Sequence, residues 1–242
     1  MCGICGCSEE VHPEHGHEHH THDEHLIHVE QNILDVNKRY AIENERYLLN
    51  RNILALNIMS SPGSGKTTLL AKTIADLKNE ADISVVVGDQ QTNYDAELIK
   101  AHGGHALQIN TGAVCHLDAH MVGHALESMP LKNGSILVIE NVGNLVCPAL
   151  FDLGEHYKVV ILSVTEGENK PLKYPGMFHA ADLLLITKTD LLPYVDFNLE
   201  QCMTYARQIK PDMEIVTLST VKNEGLDKWY TWLRTKRDLL KQ

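Results

Sequence analysis

The sequence lacks an excess of positive charge, a membrane-length apolar run and a secretion signal. Its 242 residues carry 21 Lys and Arg against 32 Asp and Glu, a formal net charge of -11. That balance argues against a nucleic-acid or membrane-surface binder, since both need basic patches. No apolar run reaches the ~18 residues of a membrane span, and the start has no basic or apolar signal region. We therefore expect a cytoplasmic protein whose six cysteines are thiols or metal ligands rather than disulfides.

Histidine is abundant near the start of the chain. Eight of the 15 histidines lie within residues 12–28, and the first 30 residues hold seven acids and no Lys or Arg. Residues 1–28 have few aliphatic side chains and no apolar period, so we expect a disordered Cys/His-rich tail. Its imidazoles suit storage or buffering of Ni²⁺ or Zn²⁺. A merely solvated low-complexity tail is the alternative.

The remaining chain has the periodicity of a helix followed by an α/β domain. Residues 29–52 have apolar side chains at roughly helical spacing and predict an amphipathic helix. Residues 53–242 alternate strand-length apolar runs with helical patterns, without a linker, and predict one Rossmann-like domain with a mostly parallel sheet covered by helices on both faces. The apolar positions of the helix are Ile33, Val36, Tyr40, Ile42, Tyr47 and Leu48, and the predicted strands are 53–59, 83–87, 106–109, 136–139, 159–164, 183–186 and 215–218.

The segment after the first predicted strand has the pattern of a phosphate-binding loop. Gly63 and Gly65 let backbone N–H groups turn toward phosphate oxygens at the start of a helix. Lys66 would bridge the β- and γ-phosphates, and the Thr67 hydroxyl would complete a Mg²⁺ shell. Ser60 stands where the strict pattern has glycine. We therefore predict a P-loop NTPase whose loop binds nucleotide through Pro62, Gly63, Ser64, Gly65, Lys66, Thr67 and Thr68.

A second pattern indicates that the base is guanine. Asp190 follows a predicted strand, and its carboxylate can accept hydrogen bonds from guanine N1–H and the 2-amino group, a pair that adenine does not offer. The Lys188 stem can lie along the base plane, and Ser219 and Val221 follow the next strand. Thr187 replaces the usual asparagine, which predicts a looser loop. We favour GTP and GDP as ligands over ATP.

Two acids at predicted strand ends complete the nucleotide site. Asp89 and Glu140 each follow an apolar strand, where ligands of open α/β sheets bind. We assign Asp89 to Mg²⁺ or the attacking water, place Glu140 in the Mg²⁺ site beside Thr67, and expect the Gly143 N–H to face the γ-phosphate. A capping or turn role is the alternative for each acid. No glutamine stands in a water-positioning place after Gly143, so we predict slow hydrolysis. The predicted catalytic residues are Lys66, Thr67 and Asp89.

Three cysteines at the start of the chain indicate a soft-metal site. Cys2, Cys5 and Cys7 offer three thiolates, and removal of Met1 would add the Cys2 amine. Three sulfurs and one nitrogen in a plane suit Ni²⁺ or Cu²⁺, whereas Zn²⁺ prefers a tetrahedron. A redox pair is the alternative, but no thioredoxin-like pattern surrounds the cysteines.

Further candidate ligands lie within the α/β domain. Cys115 and His116 are adjacent at a predicted helix start, and His120 follows one turn later on the same face. Cys147 comes four residues after Gly143, in a segment that should move with γ-phosphate occupancy as switch segments do. We predict a nickel or zinc site at Cys115, His116 and Cys147, with His120 as a further candidate. The sixth cysteine, Cys202, lies on a predicted amphipathic helix and is interpreted as packing.

These motifs together resemble the HypB family of GTPases, which deliver nickel during maturation of [NiFe]-hydrogenase. The resemblance covers essentially the whole chain. Its carriers are the Cys2/Cys5/Cys7 leader, the His-rich tract, 60–68, Gly88-Asp89 with Thr92, 115–119, 140–148 and 187–190.

The resemblance implies a P-loop G domain that dimerises on GTP, with Cys115, His116 and Cys147 at or near the dimer interface. It also implies transfer of nickel toward the hydrogenase large subunit precursor with a HypA-type accessory protein. Two other classes stay open. One is a urease-type nickel-insertion GTPase of the UreG kind, although that family has Cys-Pro-His where this chain has Cys115-His116. The other is a nickel store or sensor with a decayed G domain, against which Lys66, Thr67 and Asp190 count.

Overall fold

A parallel sheet forms the centre of the computed structural model, which describes residues 19–89, 94–112 and 114–241, with 19–30 described through their backbone only. All seven predicted strands are present, with their ends within two residues of the predicted ones. They are β1 (Leu54–Ser60), β2 (Ile83–Asp89), β3 (His105–Asn110), β4 (Ile136–Glu140), β5 (Tyr157–Ser163), β6 (Leu183–Thr187) and β7 (Glu214–Thr217).

The helices of the described residues include all five domain helices expected from the helical patterns, at 67–79, 94–102, 117–128, 198–210 and 225–240, and four short helices that the sequence does not predict. The unpredicted ones have three to six residues and begin at or beside a proline or a loop, so they are too short to express a 3.6-residue period. The set is α1 (His19–Leu49), α2 (Lys66–Leu77), α3 (Tyr94–Ala101), α4 (Ala119–Ser128), α5 (Lys170–Lys173), α6 (Pro175–Ala180), α7 (Leu199–Ile209) and α8 (Leu226–Leu239), with 3-10 helices at Cys147–Ala149 and Thr189–Tyr194.

Helices cover both faces of the sheet, which confirms the predicted α/β class. The strands are parallel in the order β3-β2-β4-β1-β5-β6-β7. Leu54, Leu56 and Ile58 of β1 pack with α2, α3 and α8. Ala55 points to the opposite face, where α1 and α4 pack, and α6 and α7 extend that layer over β5 and β6. The described helices include none that combines the length and the apolarity needed to cross a membrane.

Helix α1 differs from its prediction in start and in orientation. It begins at His19, ten residues earlier than predicted, so 19–28 of the predicted tail are helical. Of its six predicted apolar positions, Leu48 alone is buried, while Val36 is 52% exposed. The buried face instead holds Asn37, Ala41 and Asn44. The face that packs on the domain therefore combines the amides of Asn37 and Asn44 with Leu48 and the half-buried Leu34 and Tyr47, while the rest of the predicted apolar stripe is exposed.

The carboxyl edge of the sheet brings the predicted site residues together. Ser60, Asp89 and Glu140 are the last residues of β1, β2 and β4, which are neighbours in the sheet. Thr187 ends β6 at the same edge. Parallel strands thus place a loop, two acids and the base-recognition segment around one crevice, which is where open α/β sheets bind ligands.

Candidate functional site: a nucleotide pocket beside a thiolate cluster

The loop between β1 and α2 has the backbone of a phosphate cradle. Gly63 and Gly65 have φ of 74° and 94°, a region that favours glycine. Gly65 caps α2, and Lys66 is the first residue of that helix. Opposite the loop, a Cβ at Gly143 would lie 3.0 Å from the Pro62 nitrogen. The helix N-terminus and the inward-turning loop together form an anion site.

Ser60, which stands where the strict loop pattern has glycine, has a structural role. Its buried hydroxyl accepts hydrogen bonds from Lys66 Nζ at 2.9 Å and Ser64 Oγ at 2.7 Å, and donates to the Ser61 carbonyl. Burial lowers the pKa of Lys66, while the charge of Glu140 opposes that shift. Glycine could not hold the ammonium in this way. Ser60 therefore keeps Lys66 aligned beneath the loop.

A pocket of about 650 Å³ opens above this loop. Its walls include both predicted acids, Asp89 and Glu140, and also Cys115 of the predicted metal cluster. The other predicted nucleotide-binding residues are not part of its wall, namely Ser64, Asp190, Ser219 and Val221. The predicted residues that line it are Pro62, Gly63, Gly65, Lys66, Thr67, Thr68, Asp89, Glu140, Gly143 and Lys188.

Glu140 has the environment of a cation ligand. Its Oε1 accepts a hydrogen bond from Thr67 Oγ1 at 2.7 Å. Its Oε2 is buried and has no hydrogen-bond partner among the described residues. Burial raises the pKa of Glu140 to about 7, against the lowering effect of Lys66. A buried carboxylate oxygen and a hydroxyl suit the hard oxygen preference of Mg²⁺, so Thr67 and Glu140 fit the ion, with Asp89 on the same wall.

The buried carboxyl predicts a pH-dependent stability effect. In the metal-free protein, Glu140→Gln should raise the free energy of unfolding by ~2 kcal/mol more at pH 8 than at pH 5. The folded pKa of about 7 exceeds the ordinary value of 4.5. Ionisation therefore costs the folded state more than the unfolded chain, and wild-type stability falls as pH rises between these values. Denaturant unfolding without Mg²⁺ measures the gain, and Glu127→Gln is the exposed control. A pH-independent gain would contradict this account.

The base-recognition segment is tied to the phosphate loop. Thr187 Oγ1 donates to the Ser64 carbonyl at 2.7 Å, and Lys188 Nζ donates to the Gly63 carbonyl at 2.7 Å. The Thr187 hydroxyl thus bonds across to the phosphate loop, while the expectation that Thr187 gives a looser segment than asparagine stays a prediction. Ser219 Oγ donates to Asp190 Oδ1 at 2.6 Å, which leaves the other carboxylate oxygen for a base.

Cys115, His116 and Cys147 form a compact set of soft ligands. Their candidate ligand atoms all lie within 4.8 Å of one another. The two sulfurs are 2.9 Å apart, and Cys115 Sγ is 3.8 Å from His116 Nδ1. Burial lowers the pKa of His116, so its imidazole is neutral and competent as a ligand at neutral pH. Two sulfurs and one nitrogen suit nickel or zinc.

Helix α1 holds both segments that carry these ligands. Asn44 Nδ2 donates to the Ala119 carbonyl at 2.8 Å and the Leu153 carbonyl at 3.0 Å. Asn37 Nδ2 donates to the Asp152 carbonyl, and Asn37 Oδ1 accepts from Ala119 N. Between the segments, the His116 ring stacks on Phe151 with centroids 3.9 Å apart. The amide face of α1 thus orients the ligand cluster.

Among the residues that the structure describes, the further candidate ligand His120 does not join this cluster. His120 lies on α4 with its Nε2 3.1 Å from His124 Nε2, and its ring contacts Tyr40. Cys202 is fully buried in α7, and burial raises its pKa to about 12, which fits packing. The leader ligands Cys2, Cys5 and Cys7 lie outside the described residues, as does Thr92.

The sequence reasoning missed several residues of the pocket. Asp95, in the first turn of α3, lines it and adds negative charge near Lys66 and Glu140. Tyr94 and Asn141 also line it. An acid one turn into a helix gives no motif by itself. For Asn141, the signal that could have identified it is a buried amide directly after a strand-end acid.

Comparison with known proteins shows which family the chain resembles. Residues 54–217 match the family described as CobW/HypB/UreG, nucleotide-binding domain. The chain is 56% identical over 212 residues to the hydrogenase maturation factor HypB of Azotobacter vinelandii, covering 88% of this chain and 70% of that protein.

Two solved structures share the fold. HypB from Helicobacter pylori in complex with nickel is 40% identical, with a TM-score of 0.80 over 84% of this chain and 95% of that one. Hydrogenase maturation factor HypB from Archaeoglobus fulgidus is also 40% identical, with a TM-score of 0.79 over 84% of this chain and 100% of that one.

Proposed function

Because this chain belongs to the CobW/HypB/UreG nucleotide-binding family, among the HypB hydrogenase maturation factors, we propose that it is a GTP-hydrolysing nickel chaperone. The observation that carries this proposal is the position of Cys115. The residue lines the nucleotide pocket and is also one of three clustered metal ligands. Nickel is the cargo, and the nucleotide state decides how tightly the cluster holds it.

The pocket is suited to GTP·Mg²⁺. Lys66 and the loop N–H groups neutralise the phosphates, and Asp190 with Lys188 recognises guanine. Thr67 and Glu140 would hold Mg²⁺, with Asp89 nearby. Bound Mg²⁺ would supply charge neutralisation to the phosphate oxygens. Asp89 would orient the attacking water. Because the sequence has no glutamine in a water-positioning place after Gly143, we expect slow hydrolysis and a protein that works as a switch.

The nickel cargo has two candidate locations. Cys115, His116 and Cys147 would hold it beside the pocket, and Cys2, Cys5 and Cys7 would hold it on the leader. His120, paired with His124 on the surface, is a further candidate ligand. A structural Zn²⁺ in the domain site is the competing occupant, since the same donors suit it. Metal analysis of protein purified without added nickel separates the two.

The surroundings of Cys147 support a GTP-dependent dimer. Val146 is 47% exposed and Leu150 is 52% exposed, so exposed apolar side chains lie on both sides of the buried Cys147 in the chain. A second copy that packed there would bring two ligand clusters together and complete the coordination of the metal. The partners in transfer are a HypA-type nickel-binding protein and the hydrogenase large subunit precursor, in the cytoplasm where thiols stay reduced.

The proposed dependence of nickel binding on nucleotide state, called here the gate, is tested by measuring nickel affinity in two nucleotide states. The protein is the full chain with Cys2, Cys5 and Cys7 replaced by serine, called here the leader-serine chain. Thiolate-to-nickel charge-transfer absorption then reports on Cys115 and Cys147. We expect the nickel Kd to differ ~5- to 150-fold between GDP·Mg²⁺ and a non-hydrolysable GTP analogue with Mg²⁺, the range of a ~1–3 kcal/mol coupling.

Two cysteine variants control this measurement. Cys147→Ser should weaken the absorption band, because one of the two contributing thiolates is lost, whereas Cys202→Ser should keep it, because Cys202 is a buried thiol whose pKa is raised to about 12. Equal nickel affinities in the two nucleotide states would refute the proposed gate.

A further inference from the structure

Asn141 joins the nucleotide pocket to the metal cluster through one oxygen atom. The residue is buried and follows Glu140, the last residue of β4. Its Oδ1 accepts hydrogen bonds from Leu117 N and from Val142 N, both at 3.0 Å. Leu117 is the residue after His116, and Val142 is the residue before Gly143. A single acceptor therefore holds two different segments, one with the metal ligands and one facing the phosphates.

The other side of the same amide is anchored in the sheet. Asn141 Nδ2 donates to Asn57 Oδ1 at 3.2 Å, and Asn57 Nδ2 donates to Glu155 Oε1 at 3.1 Å. Asn57 is fully buried in β1. The donor contact fixes which way the amide points, since a flipped amide would face Leu117 N and Val142 N with another donor. The acceptor thus has one orientation.

Each segment also has contacts of its own that fix its local position. Leu117 is fully buried, and a Cβ at Gly88 would lie 2.8 Å from its Cδ1, so it packs beside the strand that ends in Asp89. On the second segment, Asn144 Oδ1 accepts from Cys147 N at 3.3 Å. A shift of Val142 toward or away from a γ-phosphate therefore either carries Leu117 with it or breaks a buried hydrogen bond. An unsatisfied buried polar group of this kind costs ~1–3 kcal/mol.

We propose that Asn141 is the positioning residue that couples nucleotide state to the geometry of the Cys115/His116/Cys147 cluster. The inference rests on the proposed function and assigns its regulation to one amide. The two segments are coupled because Leu117 N and Val142 N share the acceptor Asn141 Oδ1. This coupling does not need a contact between the nucleotide and the metal. Asn141 does not itself touch the cargo in this account.

The test is the nickel Kd of the leader-serine chain, with nickel sulfate as the probe, in GDP·Mg²⁺ and in a non-hydrolysable GTP analogue. In Asn141→Ala, the ratio of the two Kd values should fall to within twofold of one. Asn57→Ala is the matched control, because it breaks the donor side of the same amide and leaves both acceptor bonds possible. It should keep at least half of the wild-type ratio while losing comparable thermal stability.

A milder variant covers the case in which Asn141→Ala fails to fold. Asn141→Ser retains a polar side chain, but its oxygen stands on the β-carbon and falls short of Leu117 N, so it should also abolish the ratio. Asn141→Asp keeps an acceptor for both N–H groups and should restore the ratio. A stability effect alone would lower Tm in these variants without changing the nucleotide dependence.

The outcomes distinguish the coupling through Asn141, called here the relay, from the gate, which is the dependence of nickel affinity on nucleotide state. A wild-type ratio above five that collapses in Asn141→Ala or Asn141→Ser and survives in Asn57→Ala supports the relay. A wild-type ratio above five that persists in the Asn141 variants overturns the relay and leaves the gate intact. A wild-type ratio of one overturns the gate and the relay together.

Discussion

Lys66→Ala is expected to lower the rate of GTP hydrolysis by about 10²–10³-fold, the effect of removing one preorganised group that stabilises transition-state charge. Lys66 is the first residue of α2 and extends under the phosphate loop to Ser60. Burial lowers its pKa, but the nearby acids, with Glu140 first, favour the ammonium. The charge is therefore positioned before nucleotide binds, and its removal cannot be offset by solvent.

The control for this variant is on the same helix. Lys72 lies on α2, one-third exposed, and forms an ion pair with Asp76 at 2.7 Å. Such a surface pair contributes little, so Lys72→Ala should keep wild-type hydrolysis. Release of inorganic phosphate under single-turnover conditions measures both variants. Hydrolysis within threefold of wild type in Lys66→Ala would mean that this pocket does not bind the triphosphate.

The sheet could be predicted from the sequence because its strands are buried on both faces. β1, β4 and β6 are fully buried along their length, so each appears in the sequence as a mostly apolar run, which Asn57 interrupts in β1. Parallel pairing follows from the helices between them. The strand order depends on which helix crosses which face, and no single segment of the sequence contains that information.

Helix α1 could be predicted, but its buried face could not. Hydrophobic periodicity assumes that apolar side chains make the contact, whereas Asn37 and Asn44 bind backbone groups of the ligand-bearing segments instead. Their partners are 75 to 115 residues away in the chain. A side chain that donates a hydrogen bond to a carbonyl distant in the sequence leaves no local sequence pattern.

The nucleotide site could be predicted where its residues are contiguous in the sequence. Residues 60–68 form a motif, whereas Asp95 and Asn141 reach the pocket from separate strand–helix junctions. The two departures from familiar patterns were the least predictable features. Ser60 and Thr187 replace residues of a different type, yet each makes a specific hydrogen bond. In both places a hydroxyl makes the contact, and at Ser60 this contact is one that glycine could not make.

Asp190→Asn is expected to change the base that the pocket accepts from guanine to xanthine. Ser219 Oγ donates to Asp190 Oδ1, so the second oxygen is available to the guanine N1–H and 2-amino groups. An amide would turn an N–H toward the 2-amino group, and two charge-assisted bonds of ~1.5–3 kcal/mol each would be lost. GTP affinity should fall by about 10²–10⁴-fold. Xanthine carries a carbonyl in place of the amino group and can accept from the new amide.

The switch of base gives this prediction its own internal control. A variant that is merely misfolded would lose both nucleotides, whereas Asp190→Asn should gain affinity for xanthosine triphosphate as it loses GTP. Asp196→Asn, an exposed carboxylate close by in the chain, should leave GTP affinity unchanged. Competition against a fluorescent GTP analogue measures all three proteins. If Asp190→Asn kept wild-type GTP affinity, the base would lie elsewhere, and the guanine specificity of the proposed switch would have to come from other residues.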